Sequence, residues 1–157
     1  MKASEKFLFL DFDGVLNSRQ WFKDNLEAIN REEVKPSRDV DRAAVERLNR
    51  IVEMTGAGVV ISSTWRRLHP FYTLVEILER HGFRGRVVGV TPILDTYRGT
   101  EIAAWMKASN VEEHQIAILD DDSDMLHLAG RLVRTDGIWG LLDTDADRAI
   151  ALLLRGW

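Results

Sequence analysis

Residues 7–18 read FLFLDFDGVLNS, an apolar strand that runs into Asp11 and Asp13 and then Gly14. In extended chain, side chains at i and i+2 point the same way, so the two carboxylates share a face while Phe12 turns into the core. Two other apolar runs end in polar groups. GVVI is followed by Ser62-Ser63-Thr64, and QIAIL by Asp120-Asp121-Asp122-Ser123-Asp124. Carboxylates gathered without a cation destabilise a fold, and one of them must stay protonated. A hard divalent ion with oxygen ligands removes the conflict, and Mg²⁺ held by one or two carboxylates plus a substrate phosphate is the usual arrangement. A carboxylate can then attack phosphorus to give an aspartyl-phosphate. The ion screens the two anions, while hydroxyl and cationic donors take the charge on the phosphoryl oxygens. A second carboxylic acid protonates the leaving alkoxide and later deprotonates water. Asp11 and Asp13 have the identities and spacing of such a nucleophile and acid/base.

The elements that must position these groups alternate along the chain. KFLFLDF, GVVIS (58–62), RVVGV (86–90), QIAIL (115–119) and RLVRT (131–135) read as short strands, the first two as buried ones. A helix is expected between the first two, with Val40, Ala44, Leu48, Ile51 and Val52 as its apolar stripe, Ser37 or Asp39 as its cap and Gly56 at its end. Pro70 suits the start of the next helix, and RGTEIAAWMKAS and TDADRAIALLL supply two more. This alternation predicts a doubly wound α/β domain with a mostly parallel sheet, whose ligands bind beyond the carboxyl ends of the strands. All three polar runs fall at such ends. No repeat or linker interrupts the 157 residues, which are expected to form one domain, 1–157, with a 45% hydrophobic content sufficient for a core.

Composition narrows the partners. The net charge of −4 gives no general nucleic-acid-binding surface, and the absence of cysteine confines any metal to oxygen or imidazole ligands. The first apolar run is too short for a signal segment or a membrane span, which predicts a soluble, cytoplasmic protein with no membrane partner. Histidines 69, 81, 114 and 127 lack metal-ligand spacing. Asp143, Asp145 and Asp147 spell DxDxD, but Arg148 and Leu154 stand where a calcium loop needs Gly and Glu, so a helix N-terminus is the reading.

These residues resemble a known family. FLFLDFDGV resembles motif I of the haloacid dehalogenase (HAD) superfamily, with Asp11 at the nucleophile position and Asp13 at the acid/base position. VVISST resembles motif II, which implies that Ser62, or else Ser63, binds the transferring phosphoryl group. AILDDDSD resembles motif IV, which implies metal binding by Asp120 and Asp121, with Asp124 serving a DxxxD form. Motif III is usually a lysine; here Arg98 stands near its place, with Lys107 a poorer candidate deep in the helix, and arginine can supply the same charge. The family's metal also takes the main-chain carbonyl at the Asp13 position, so the implied metal set is Asp11, Asp13, Asp120 and Asp121. Taken together, LDFDGVLNS, VVISSTWR, VGVTPIL, RGTEIAAWM and AILDDDSDM resemble the small HAD domains of Swiss Army Knife RNA repair proteins. The resemblance implies a three-layer Rossmann-like fold with a five-stranded sheet in order 5-4-1-2-3. An acid at the second motif I position implies phosphatase chemistry.

A short flap at about 16–37 stands where the family carries a cap, so an open site is expected. Such a site suits bulky substrates, among them nucleic-acid ends, or takes a lid from a partner. Arg66 and Arg67 are either a solvated helix start or a clamp on substrate phosphate. Trp21 and Phe22 either stack on a base or sugar or pack over the core. The leading expectation is a Mg²⁺-dependent phosphomonoesterase, with a phosphorylated small molecule or a nucleotide or nucleic-acid terminal phosphate as candidate substrate. A catalytically silent binding or regulatory module and a phosphotransferase are the alternatives.

Overall fold

The computed structural model describes residues 5–155; the ends of the expected 1–157 domain, residues 1–4 and 156–157, lie outside it. Five strands form one all-parallel sheet: β1 (Phe7–Leu10), β2 (Gly58–Ile61), β3 (Val87–Val90), β4 (Ile116–Asp120) and β5 (Leu132–Arg134). Their order is β3-β2-β1-β4-β5, which is the expected 5-4-1-2-3 read from the other edge. β1 is the middle strand, and all four of its residues are buried. That is why it reads as a continuous apolar run rather than an alternating one.

Helices cover both faces. α3 (Arg42–Thr55), α4 (Phe71–Arg80) and α6 (Asp143–Arg155) pack on one, where Leu8 and Leu10 meet Leu48, Ile51, Leu78 and Leu153. α5 (Arg98–Ser109) and a 3₁₀ turn, Leu126–Arg131, pack on the other, where Phe7 and Phe9 meet Ile102, Met106 and Leu128. Trp105 of α5 lies edge-on to both phenyl rings, with centroids 5.4 and 5.5 Å away. Two short helices, α1 (Arg19–Asp24) and α2 (Leu26–Asn30), occupy the segment after the first strand. Among the described residues no helix is long and apolar enough to cross a membrane.

The cap of α3 differs from expectation. Asp41 caps it, accepting the Ala43 N–H at 2.9 Å, and Gly56 ends it in the left-handed region. Asp39 closes the preceding turn instead, accepting the Lys35 N–H at 2.7 Å, and Val40 is buried in the core before the helix begins. The DxDxD run is the helix start it was read to be. Asp145 accepts the Leu142 N–H, while Asp143 and Asp147 pair with Arg47 and Arg50 of α3.

Register does most of the positioning. Leu10 sits opposite Ile61 on one side and Leu119 on the other, so the next residues, Asp11, Ser62 and Asp120, come out side by side at the carboxyl edge. Two ladder bonds carry the pairing to the tips: Asp11 N–H to the Leu119 carbonyl at 3.0 Å, and Ser62 N–H to the Leu10 carbonyl at 2.9 Å.

Candidate active site

Asp11, Asp120 and Asp121 each bring a carboxylate oxygen into one group whose members lie within 4.8 Å of one another. Asp11 and Asp120 are almost fully buried, and Asp121 is half-buried. Burial, together with the facing charges of Asp120 and Asp121, pushes the Asp11 carboxyl well above its ordinary range, although Arg98 pulls the other way. Burial likewise pushes Asp120 up to about 6, against the Asp122 N–H that it accepts at 2.9 Å and the charge of Arg98. The local chain is built for this crowding. Gly14 has φ +80°, and a Cβ there would stand 2.2 Å from Asp121 Oδ2. Only glycine both takes that turn and admits the carboxylate beside it.

Arg98, in the first turn of α5, points its guanidinium at the cluster. Its Nη1 is 3.8 Å from Asp11 Oδ1 and 3.7 Å from Asp120 Oδ2. Neither that nitrogen nor that Asp120 oxygen has a hydrogen-bond partner among the described residues, although both are buried. Ser62 Oγ is buried and unpartnered in the same way. Buried polar atoms are normally satisfied, so three orphans around Asp11 need an explanation. A hard cation against the carboxylates and an anion against Ser62 and Arg98 would satisfy all three. The all-oxygen donor set suits Mg²⁺.

The remaining residues singled out in the sequence fall as follows. Asp13 is exposed and its side chain stands outside the three-carboxylate group, because the chain turns at 13–16 rather than continuing extended. Its Oδ1 accepts Asn17 Nδ2–H at 2.9 Å and Trp65 Nε1–H at 3.0 Å, while Asn17 Oδ1 accepts the Gly14 N–H. Ser63 caps the 3₁₀ turn Thr64–Arg67 by accepting the Trp65 N–H, which leaves Ser62 as the uncommitted hydroxyl. Asp124 accepts the Arg98 N–H at 3.1 Å, and its carbonyl accepts the Gly99 N–H. It therefore anchors the start of α5 and does not join the carboxylate group. Lys107 is exposed nine residues further along α5, about 13 Å of helix rise from Arg98.

The Arg66 side chain is buried with both Nη groups occupied, while its Nε has no hydrogen-bond partner among the described residues. Arg66 donates to the carbonyls of Ser62, Ser63 and Pro92 and pairs with Glu101 at 2.7 Å. Arg67 is half-exposed and pairs with Asp95. Trp21 packs edge-on against Phe22 and lines a cavity of about 420 Å³ with Asn25, Val34, Asp39 and His81, none of which belongs to the carboxylate group. Sequence reasoning missed Glu101, Asn17 and Trp65. The i, i+3 spacing of Arg98 and Glu101 was a usable signal for the first; the other two carried none, since their partners come from the turn of the chain.

A search of curated proteins finds no match. A family model described as the HAD domain in Swiss Army Knife RNA repair proteins matches residues 7–146, a span that contains every residue of the site. The chain belongs to that family of HAD domains.

Proposed function

We propose that the protein is a Mg²⁺-dependent phosphomonoester hydrolase that works through an aspartyl-phosphate on Asp11. Membership of the HAD superfamily supports a hydrolase of the phosphatase type. The observation that carries the finer reading is the set of buried, unpartnered atoms around Asp11: Asp120 Oδ2, Arg98 Nη1 and Ser62 Oγ.

Asp11, Asp120 and Asp121, with the Asp13 main-chain carbonyl, would hold the ion. Bound there, it would offset the charge of the carboxylates and of the phosphoryl oxygens, so that one anion can approach another. Ser62 Oγ–H and Arg98 Nη1–H donate to phosphoryl oxygens and hold the phosphorus over Asp11. A carboxylate oxygen of Asp11 forms a bond to phosphorus as the ester P–O bond breaks, and Asp13 gives its proton to the departing alkoxide. Asp13, now a carboxylate, takes a proton from a water that attacks the same phosphorus. The Asp11–phosphorus bond breaks, releasing orthophosphate and restoring both aspartates.

Nucleotides or nucleic-acid ends are the proposed substrates. The matched family's description places such domains in RNA repair proteins. The turn 136–140 also supports this reading. A Cβ on Gly137 would lie 3.3 Å from Asp121 Oδ2, and Trp139, two residues on, is half-exposed. An indole at that position can stack on a base. The deciding experiment is p-nitrophenyl phosphate hydrolysis in Mg²⁺ and in EDTA, for wild type and Asp11→Asn. Metal-dependent turnover lost by at least 10³-fold in the variant is the expected result. An unaffected rate in Asp11→Asn would remove the mechanism.

A further inference from the structure

One buried carboxylate, outside the carboxylate cluster, lies on the helix that presents Arg98 and pairs with the arginine that holds the Ser62 main chain. Glu101 lies on α5, one turn after Arg98, and is 4% exposed. Its Oε1 accepts from Arg66 Nη2 at 2.7 Å and faces Arg98 Nε at 3.9 Å, and its Oε2 accepts the Leu94 N–H at 2.8 Å. The partner Arg66 is as deeply buried, and its Nη1 donates to the carbonyls of Ser62 and Ser63, both at 3.1 Å. Its Nη2 also reaches the Pro92 carbonyl at 3.3 Å.

We propose that Arg66 and Glu101 form an internal strut that sets the distance between Ser62 and Arg98, making both of them positioning residues for phosphate. This rests on the phosphatase reading of the site and adds to it the pair that determines how tightly the phosphoryl group is held. The chemistry favours this over a direct clamp. Arg66 has its two Nη groups committed to three carbonyls and a carboxylate, so it fixes backbone rather than ligand. Glu101 balances the Arg66 charge, which leaves Arg98 as the cation directed at Asp11 and Asp120. The strut also gives a reason for arginine at position 98. A guanidinium can turn Nε to Glu101 while Nη1 faces the cluster, whereas the single ammonium of lysine cannot do both.

The test is calorimetric binding of orthophosphate in the presence of Mg²⁺, with steady-state p-nitrophenyl phosphate kinetics alongside. Variants are Glu101→Gln, Arg66→Gln, the double variant and Arg66→Lys, with Arg67→Ala as an exposed neighbouring control. Orthophosphate affinity is expected to fall about tenfold in either glutamine variant, and no further in the double, because the two residues act as one unit. KM should rise about tenfold while kcat falls less than threefold, a split that general loss of folded enzyme would not produce. Arg66→Lys keeps the buried charge pair, and with it the fold, but cannot grip both serine carbonyls; its affinity should also fall several-fold. Arg67→Ala should match wild type. Glutamine and lysine variants that bind orthophosphate within twofold of wild type would overturn the strut while leaving the phosphatase reading intact. A wild type that binds no orthophosphate with Mg²⁺ would overturn both.

Discussion

At the scale of single residues, the site is set by steric limits as much as by charge. Gly14 lies against Asp121, and Gly14→Ala would add a methyl where the carboxylate now is, at a φ that alanine adopts with strain. Asp121 must then move out of the group. Mg²⁺ affinity measured by calorimetry should fall at least tenfold, about 1.4 kcal/mol, while the melting temperature in EDTA changes much less. An unchanged affinity would mean that Asp121 does not hold the ion directly. Residues that project from a strand tip were legible in the sequence, because an apolar run ending in Asp or Ser announces itself. Asp11, Ser62 and Asp120 are of this kind. The surroundings of Asp13 were not legible, since Trp65 is 52 residues away and reaches it only because β2 pairs with β1. An Asp spacing of two suggested carboxylates side by side; the turn at 13–16 instead leaves Asp11 buried and Asp13 exposed.

Among the elements, α5 has the most to do with function and the weakest start of its own. Its N-cap residue is Tyr97, which makes no side-chain cap bond. The missing acceptor comes from Asp124, in the loop after β4, and the helix is pressed so close to that loop that a Cβ on Gly99 would meet the Met125 carbonyl at 2.2 Å. Asp124→Ala removes a cap worth about 1 kcal/mol, so the melting temperature should drop by about 2–4 °C. Because the same bond fixes the main chain of Arg98, orthophosphate affinity should weaken as well, while Mg²⁺ affinity stays within twofold. Loss of Mg²⁺ binding instead would place Asp124 among the metal ligands. Periodicity could not reveal a cap supplied 26 residues away, which is why the aspartate run could be divided into a carboxylate cluster and an anchor only with the fold in hand. Strands and helices that bury one continuous face were easier. β1, β2 and α3 show the expected apolar pattern almost to the residue, whereas the start of α3 shifted because Asp39 had another use in the preceding turn.

For the whole molecule, the central question is why a fold places three carboxylates in its interior edge. In the metal-free protein Asp11 and Asp120 are raised above the unfolded carboxylate range, Asp120 to about 6. Between pH 4 and 6 the folded state therefore binds more protons than the unfolded chain, and stability falls as pH rises through that window. Above about pH 6 the share that comes from Asp120 is complete. Raising the Asp120 carboxyl to about 6 corresponds to about 3 kcal/mol. A divalent ion bound there would offset that penalty and stabilise the folded state by mass action. Differential scanning calorimetry of wild type and Asp120→Asn, in EDTA and in Mg²⁺, separates the joint effect of Asp120 and the Asp11 carboxyl it faces from the other titrating groups. In EDTA at pH 7.5 the variant should melt several degrees higher than wild type, and the gap should close as pH falls towards 4.5. In Mg²⁺ at pH 7.5 the wild type should gain more than the variant. A variant that melts below wild type in EDTA at pH 7.5 would show that the carboxylates hold the fold together through bonds of their own. The molecule would then need no ion to tolerate the charges at its centre.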